Sequence, residues 1–279
     1  MQPNASLLER IVHLIDSGGL QLPAYNPIAL KLQAAIATDS ENIADIEKLI
    51  MSDQVAAAEV LRAANSPFFC GLSPVRTIRN AIVRLGTQQM RRLVILVWER
   101  AKYSAQDPDI HTMLRKLWPH ACTTALAAQW LSKRVRSTGI EEICFLGGLM
   151  HDIGKLVILR AADEIKKSAK DASSYSCEVI FDLLQSAHCE LGYRLLFSWN
   201  IPEVYCQIAR DHHSEEHSED LPLAIVRLAN EGSRKLGLGL DPNPELNLSN
   251  TPEANMLQVS EKLLSELEEM IENHLSIAA

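Results

Sequence analysis

Between Ile143 and Leu159 the chain reads as an apolar helix pattern broken by three ionisable residues, His151, Asp152 and Lys155. A carboxylate and an ammonium among aliphatic neighbours pay a desolvation cost unless they are paired or bind a metal, so these three are functional candidates. His151 and Lys155, four residues apart, are expected to share a helix face. More histidines sit in similar surroundings: His120 in Leu-Trp-Pro-His-Ala-Cys, His188 in Ser-Ala-His-Cys-Glu-Leu-Gly, and the pair His212-His213 after Ile-Ala-Arg-Asp. Imidazoles and carboxylates converging from several helices are the usual way an all-α core holds a metal. The plainer alternative is a scatter of unrelated core and surface histidines.

The elements that must position these residues are helices. Apolar residues recur at helical spacing at Leu7, Ile11, Leu14 and Ile15, then at Ile28, Leu32, Ala35 and Ile36, then at Ile43, Ile46, Leu49 and Ile50, while strand-like alternation is nearly absent. Breaks at Ser17-Gly18-Gly19, Asn26-Pro27, Ser66-Pro67 and Gly71 to Pro74 predict four or five short helices before residue 105. Polar residues 104 to 109 mark a soft boundary, and the pattern resuming at Ile110 runs longer, toward Val135. The expectation is an all-α chain with an N-terminal lobe over residues 1–104 and a second lobe over 105–240. Residues 241–279 form a Pro- and Asn-rich loop and a last helix (Leu257, Leu263, Leu264, Leu267, Met270, Ile271) that packs on the body or on a partner.

With 279 residues, 47% of them apolar, the chain can bury a large core, and a formal charge of -8 opposes general nucleic-acid binding. No apolar run reaches the roughly 20 residues of a membrane helix, and the start lacks a signal-peptide pattern, so the expected place is the cytoplasm. The six cysteines, 70, 122, 144, 177, 189 and 206, form no Cys-x-x-Cys pair and are read as buried free thiols. Trp98, Trp118, Trp130 and Trp199 are read as core. Arg76, Arg79, Arg84, Arg91 and Arg92 occur without an acid from Val75 to Val97, which suits either a docking face or a solvated helix face.

The order His, His-Asp, His, His-His resembles the ligand order of the HD superfamily, which includes the HD-GYP cyclic-dinucleotide phosphodiesterases. Several motifs in the N-terminal half look like the signature of one branch, the HDOD family: Leu22-Pro23-Ala24, Leu30-Lys31-Leu32, Met51 to Gln54, Leu61 to Ser66, and Thr77 to Gly86. The resemblance spans about residues 20 to 235. It implies a two-lobed multi-helix bundle with an HD-like C-terminal lobe, and a role in bacterial signalling and gene regulation, with hydrolysis generally not established. By position it implies metal ligands at His120, His151, Asp152, His188, His212 and His213, a divalent transition metal (iron, manganese, zinc or nickel), and Lys155 near any bound phosphate.

The chain departs from catalytic HD proteins at the last ligand. Where they carry an aspartate, this chain has Asn230 in Ile-Val-Arg-Leu-Ala-Asn. An amide oxygen can coordinate, but it brings no charge and cannot serve as a general base. The Gly-Tyr-Pro element is also missing after His213. The leading expectation is a non-catalytic or weakly catalytic regulatory module acting on a protein partner in a signalling pathway. The rival is a metal-dependent phosphohydrolase acting on a phosphoester or a nucleotide, cyclic or not, with Asp152 and Lys155 as catalytic residues. A third reading, nucleic-acid binding through Arg91 and Arg92, is disfavoured by the acidic charge.

Overall fold

The computed structural model describes residues 6–17, 43–51, 54–65, 74–100, 102–135, 139–168, 175–214 and 219–278. The motif residues 22–24, 30–32, 52, 53 and 66, the helix expected around Ile28 to Ile36, and Cys70 lie outside them. The fold is all-α, and no strand occurs among the described residues. None of the described helices is long and apolar enough to cross a membrane.

The chain divides into two compact units, residues 21–102 and residues 1–20 with 103–278. The first helix, expected in the lobe of residues 1–104, therefore groups with the later residues.

The smaller unit contains α2 (Ile43–Met51), α3 (Gln54–Ala64), α4 (Ile78–Leu85) and α5 (Thr87–Arg100). These helices pack on one another around Ile46, Ile50, Val60, Ile82, Met90 and Val94, all essentially inaccessible. Asn65 has a structural task here. Its carboxamide accepts from the Val75 N–H (2.8 Å) and donates to the Val75 carbonyl (2.9 Å), pinning the chain before α4 to the end of α3. The arginines form no common face: Arg76 and Arg79 are exposed, with Arg79 paired to Glu47 at 2.6 Å, whereas Arg91 and Arg92 are buried. Long stems packed against apolar neighbours account for the absence of a basic patch.

The larger unit contains α1 (Leu7–Asp16), α6 (Pro108–Ser132), α7 (Glu141–Met150), α8 (Ile153–Ser168), α9 (Cys177–Ser186), α10 (His188–Ser198), α11 (Glu203–Asp211), α12 (Leu221–Lys235), the short α13 (Pro252–Met256) and α14 (Glu261–Ala278). Its centre is α6, whose second half, from His120 to Ser132, is buried almost all round, and which is packed by α7, α8, α12 and α14. Asp107 caps α6 by accepting from the Asp109 and Ile110 N–H groups, and Pro108 follows at the first helical position, where its missing N–H costs nothing. Buried Asp163, on α8, accepts from the Gln106 and Asp107 N–H groups at 3.1 and 3.0 Å, which fixes where α6 enters. The last helix packs on the body, burying Leu264, Leu267, Met270 and Ile271 against α6 and α12.

Some side chains differ from expectation. Cys122, Cys144 and Cys206 are buried, but Cys177 is exposed and Cys189 half-buried. Trp98 and Trp118 are core residues, whereas Trp199 is 37% exposed and Trp130 lies under the Arg134 guanidinium, 3.7 Å from its ring centre. Both outliers sit near helix ends, where a periodic apolar position no longer faces the core.

Candidate metal centre

Six helices deliver the candidate residues to one place. Mid-way along α6, directly after Pro119, stands His120. His151 and Asp152 occupy the two-residue junction between α7 and α8, His188 opens α10, His212 and His213 follow α11, and Asn230 lies on α12. The apolar run Ile143 to Leu159 is thus two helices with a break at the ionisable pair. In consequence, Lys155 does not partner His151 across a helix face: its Nζ bonds Asp152 Oδ2 at 2.8 Å.

The carboxylate of Asp152 sits between two groups of imidazoles. Its Oδ2 is 3.5 Å from His120 Nε2 and 3.6 Å from His151 Nε2. Its Oδ1 is 3.6 Å from His188 Nε2 and 3.3 Å from His212 Nε2. Within the groups, the Nε2 atoms of His120 and His151 are 3.2 Å apart, and those of His188 and His212 are 3.4 Å apart. His213 joins the second group, with its ring centre 4.2 Å from that of His212, and is the one exposed member. The other four histidines, Asp152, Lys155 and Asn230 are all buried.

Backbone contacts set two of the rings. His151 Nδ1 donates to the Gly148 carbonyl at 2.7 Å and His212 Nδ1 to the Ala209 carbonyl at 3.0 Å, so in the neutral tautomer each turns a bare Nε2 lone pair toward Asp152. Burial drives His120 down to about 3 and His188 to about 4, against the pull of Asp152. His151 and His212 are lowered for the same first reason. Burial alone would raise Asp152, but the Lys155 ammonium beside it holds it well below the usual carboxylate range. The rings are therefore neutral and the carboxylate charged at neutral pH, the protonation states a metal requires.

The donor set fits a divalent transition metal. Two nitrogens about 2.1 Å from one ion, at roughly 100°, lie about 3.2 Å apart, close to the spacing within each histidine pair. The Oδ1 atom of Asp152 is buried without a hydrogen-bond partner, as is Asn230 Nδ2. The described residues thus offer two overlapping sets, His120, His151 and Asp152, and Asp152, His188, His212 and His213.

Close packing holds the sets together. A Cβ on Gly154 would stand 1.8 Å from the His188 carbonyl oxygen, so only glycine lets the start of α8 meet the start of α10. At Gly239, with φ +94°, a Cβ would stand 3.2 Å from the His120 ring. The sequence pattern singles out neither glycine, nor Cys189, whose Sγ is 3.3 Å from His188 Nε2. Adjacency to His188 was the available signal for Cys189, and burial pushes its thiol up to about 12.

The HDOD domain model matches residues 22–215. The chain belongs to the HDOD family. The match ends before α12, so Asn230 lies beyond the stretch that defines the family here. An HDOD domain protein of unknown function from Geobacter sulfurreducens superposes with a TM-score of 0.72 at 20% identity, covering 98% of both chains. A candidate metal-dependent phosphohydrolase from Shewanella amazonensis gives 0.67 at 18% identity over 96% of this HDOD chain and 98% of its own. A curated but uncharacterised relative from Treponema pallidum is 26% identical over 204 residues, and the alignment spans 72% of this chain but only 38% of that protein.

Proposed function

We propose that this HDOD protein is a signalling module that keeps a metal centre for structural or regulatory use, has weak or no hydrolytic activity, and acts through a protein partner. The observation that carries the reading is the pairing of a nearly complete buried His/Asp donor set with Asn230 at the position where a catalytic HD protein has an aspartate. His120, His151 and Asp152 would hold one ion and Asp152, His188, His212 and His213 a second, with Asp152 shared. A metal bound there would supply Lewis acidity. The chain's own residues offer no carboxylate at 230 to take up a proton, and Lys155 is engaged with Asp152.

The rival reading, a metal-dependent phosphohydrolase of a phosphoester or a nucleotide, cyclic or not, draws support from the retained ligand set and from Lys155, a cation able to face a phosphate once released from Asp152. One experiment separates the two. Metal content by elemental mass spectrometry and phosphoester turnover are measured on the wild type and on Asp152→Ala. Bound iron, manganese, zinc or nickel lost in the variant, with no turnover in either, supports the module. Metal-dependent turnover abolished by the substitution overturns it in favour of the hydrolase.

A further inference from the structure

Arg227, one helical turn before Asn230 on α12 and only 8% exposed, is a buried charge outside the candidate ligands. Its Nη2 and Nε both donate to the Asp211 carbonyl, at 2.6 and 3.2 Å. That carbonyl belongs to the last residue of α11 and shares a peptide group with the N–H of His212. The same carbonyl accepts from the Ser214 N–H at 2.8 Å, and the His212 N–H donates to the Ile208 carbonyl at 3.1 Å, so the guanidinium fork adds a buried charged anchor from α12 to a peptide that the end of α11 already holds. Arg227 Nη1 in turn lies 3.5 Å from Glu253 Oε1 on α13, and both side chains are mostly buried.

We infer that Arg227 is a positioning residue for His212 and His213, and that its pairing with Glu253 makes the segment after residue 215, outside the HDOD match, part of that half of the centre. The inference rests on the metal reading proposed above. The His212 ring is already tied by Nδ1 to the Ala209 carbonyl, which sets its tautomer. Arg227 acts on the backbone from which both imidazoles project, tying it to α12 in addition to its local hydrogen bonds. The other half, His120 and His151, stands on α6 and the α7–α8 junction and has no such link to Arg227, so the effect is confined to one ion.

The test is a zinc titration against a chromophoric chelator on the metal-free full chain, with stoichiometry checked by elemental mass spectrometry. Arg227→Gln, Arg227→Lys and Glu253→Gln are compared with wild type, and His120→Ala marks which binding step belongs to which half. Wild type takes up two ions. In Arg227→Gln one step weakens by roughly 10–100-fold, as losses of outer partners do, while the step lost in His120→Ala stays within about two-fold. Arg227→Lys, which keeps the charge without the fork, falls between, and Glu253→Gln moves the same step by less. Circular dichroism melts show which variants are folded, and if Arg227→Gln fails to fold, Arg227→Lys and Glu253→Gln decide the matter. Equal weakening of both steps, or none in any folded variant, overturns the positioning role while leaving the metal reading intact. A wild type that binds no zinc overturns both.

Discussion

Asp152 Oδ2 and Lys155 Nζ, one helical turn apart and both buried, form a 2.8 Å ion pair on the side of the carboxylate that faces His120 and His151. In this arrangement the ammonium stands where it neutralises the charge a metal would otherwise meet, so lysine and ion compete for one oxygen. Replacing Lys155 with Met leaves the carboxylate buried and unpaired, and the metal-free chain should lose about 3–5 kcal/mol of stability. Zinc affinity should rise in the same variant. Thermal melts with chelator and with zinc check both, and a variant destabilised equally in the two conditions would remove the competition.

Asn230→Asp adds an anionic oxygen beside His151, with which the Asn230 side chain already interacts. Metal affinity should tighten about ten-fold or more, with stability of the metal-free form reduced because a second buried carboxylate then faces Asp152. A competition titration that shows no tightening would place Asn230 outside the donor set.

The centre should also make the metal-free fold acid-sensitive well above the carboxylate range. His120 and His188 fall from 6.5 to about 3 and about 4 on folding, because burial disfavours their charged forms. The unfolded chain therefore binds protons more tightly. Their contribution is complete above pH 6.5, declines as pH falls from there, and is gone below the folded values. Melting temperatures in chelator between pH 7.5 and 4.5 should drop, and His188→Gln should flatten the drop. A flat wild-type profile would show that the rings are not held neutral.

Asp163 is a purely structural carboxylate by comparison. Burial would raise it, but the Asp107 N–H, Lys167 and the Gln106 N–H hold it below 3.8. Asp163→Ala frees two part-buried N–H groups at the entry to α6 and should cost about 1–3 kcal/mol in a denaturant titration. The centre should survive in the folded fraction, seen as unchanged zinc stoichiometry.

The helices were legible because their apolar spacing is regular, and the ligands because ionisable residues interrupt an aliphatic run. The order of histidines then pointed to the centre. What spacing did not show is that the run ends at Met150 and restarts at Ile153: Asp152, a residue type that favours helix starts, stands directly before Ile153, but the apolar pattern runs on across it. The expectation that His151 and Lys155 share one helix face followed from reading the run as a single helix. Arg91 and Arg92 misled for a related reason: charge on a helix says nothing about which stem lies against the core, and both are buried. Arg227 was invisible as an actor because its partner is a backbone carbonyl.

Gly154 and Gly192 leave α8 and α10 touching backbone to backbone, with no side chain between them to bend or re-rotamerise. A joint of that kind has no slack. Along α10, from its exposed far end at Phe197 to His188, no side-chain layer separates that helix from the start of α8, which follows directly on Asp152.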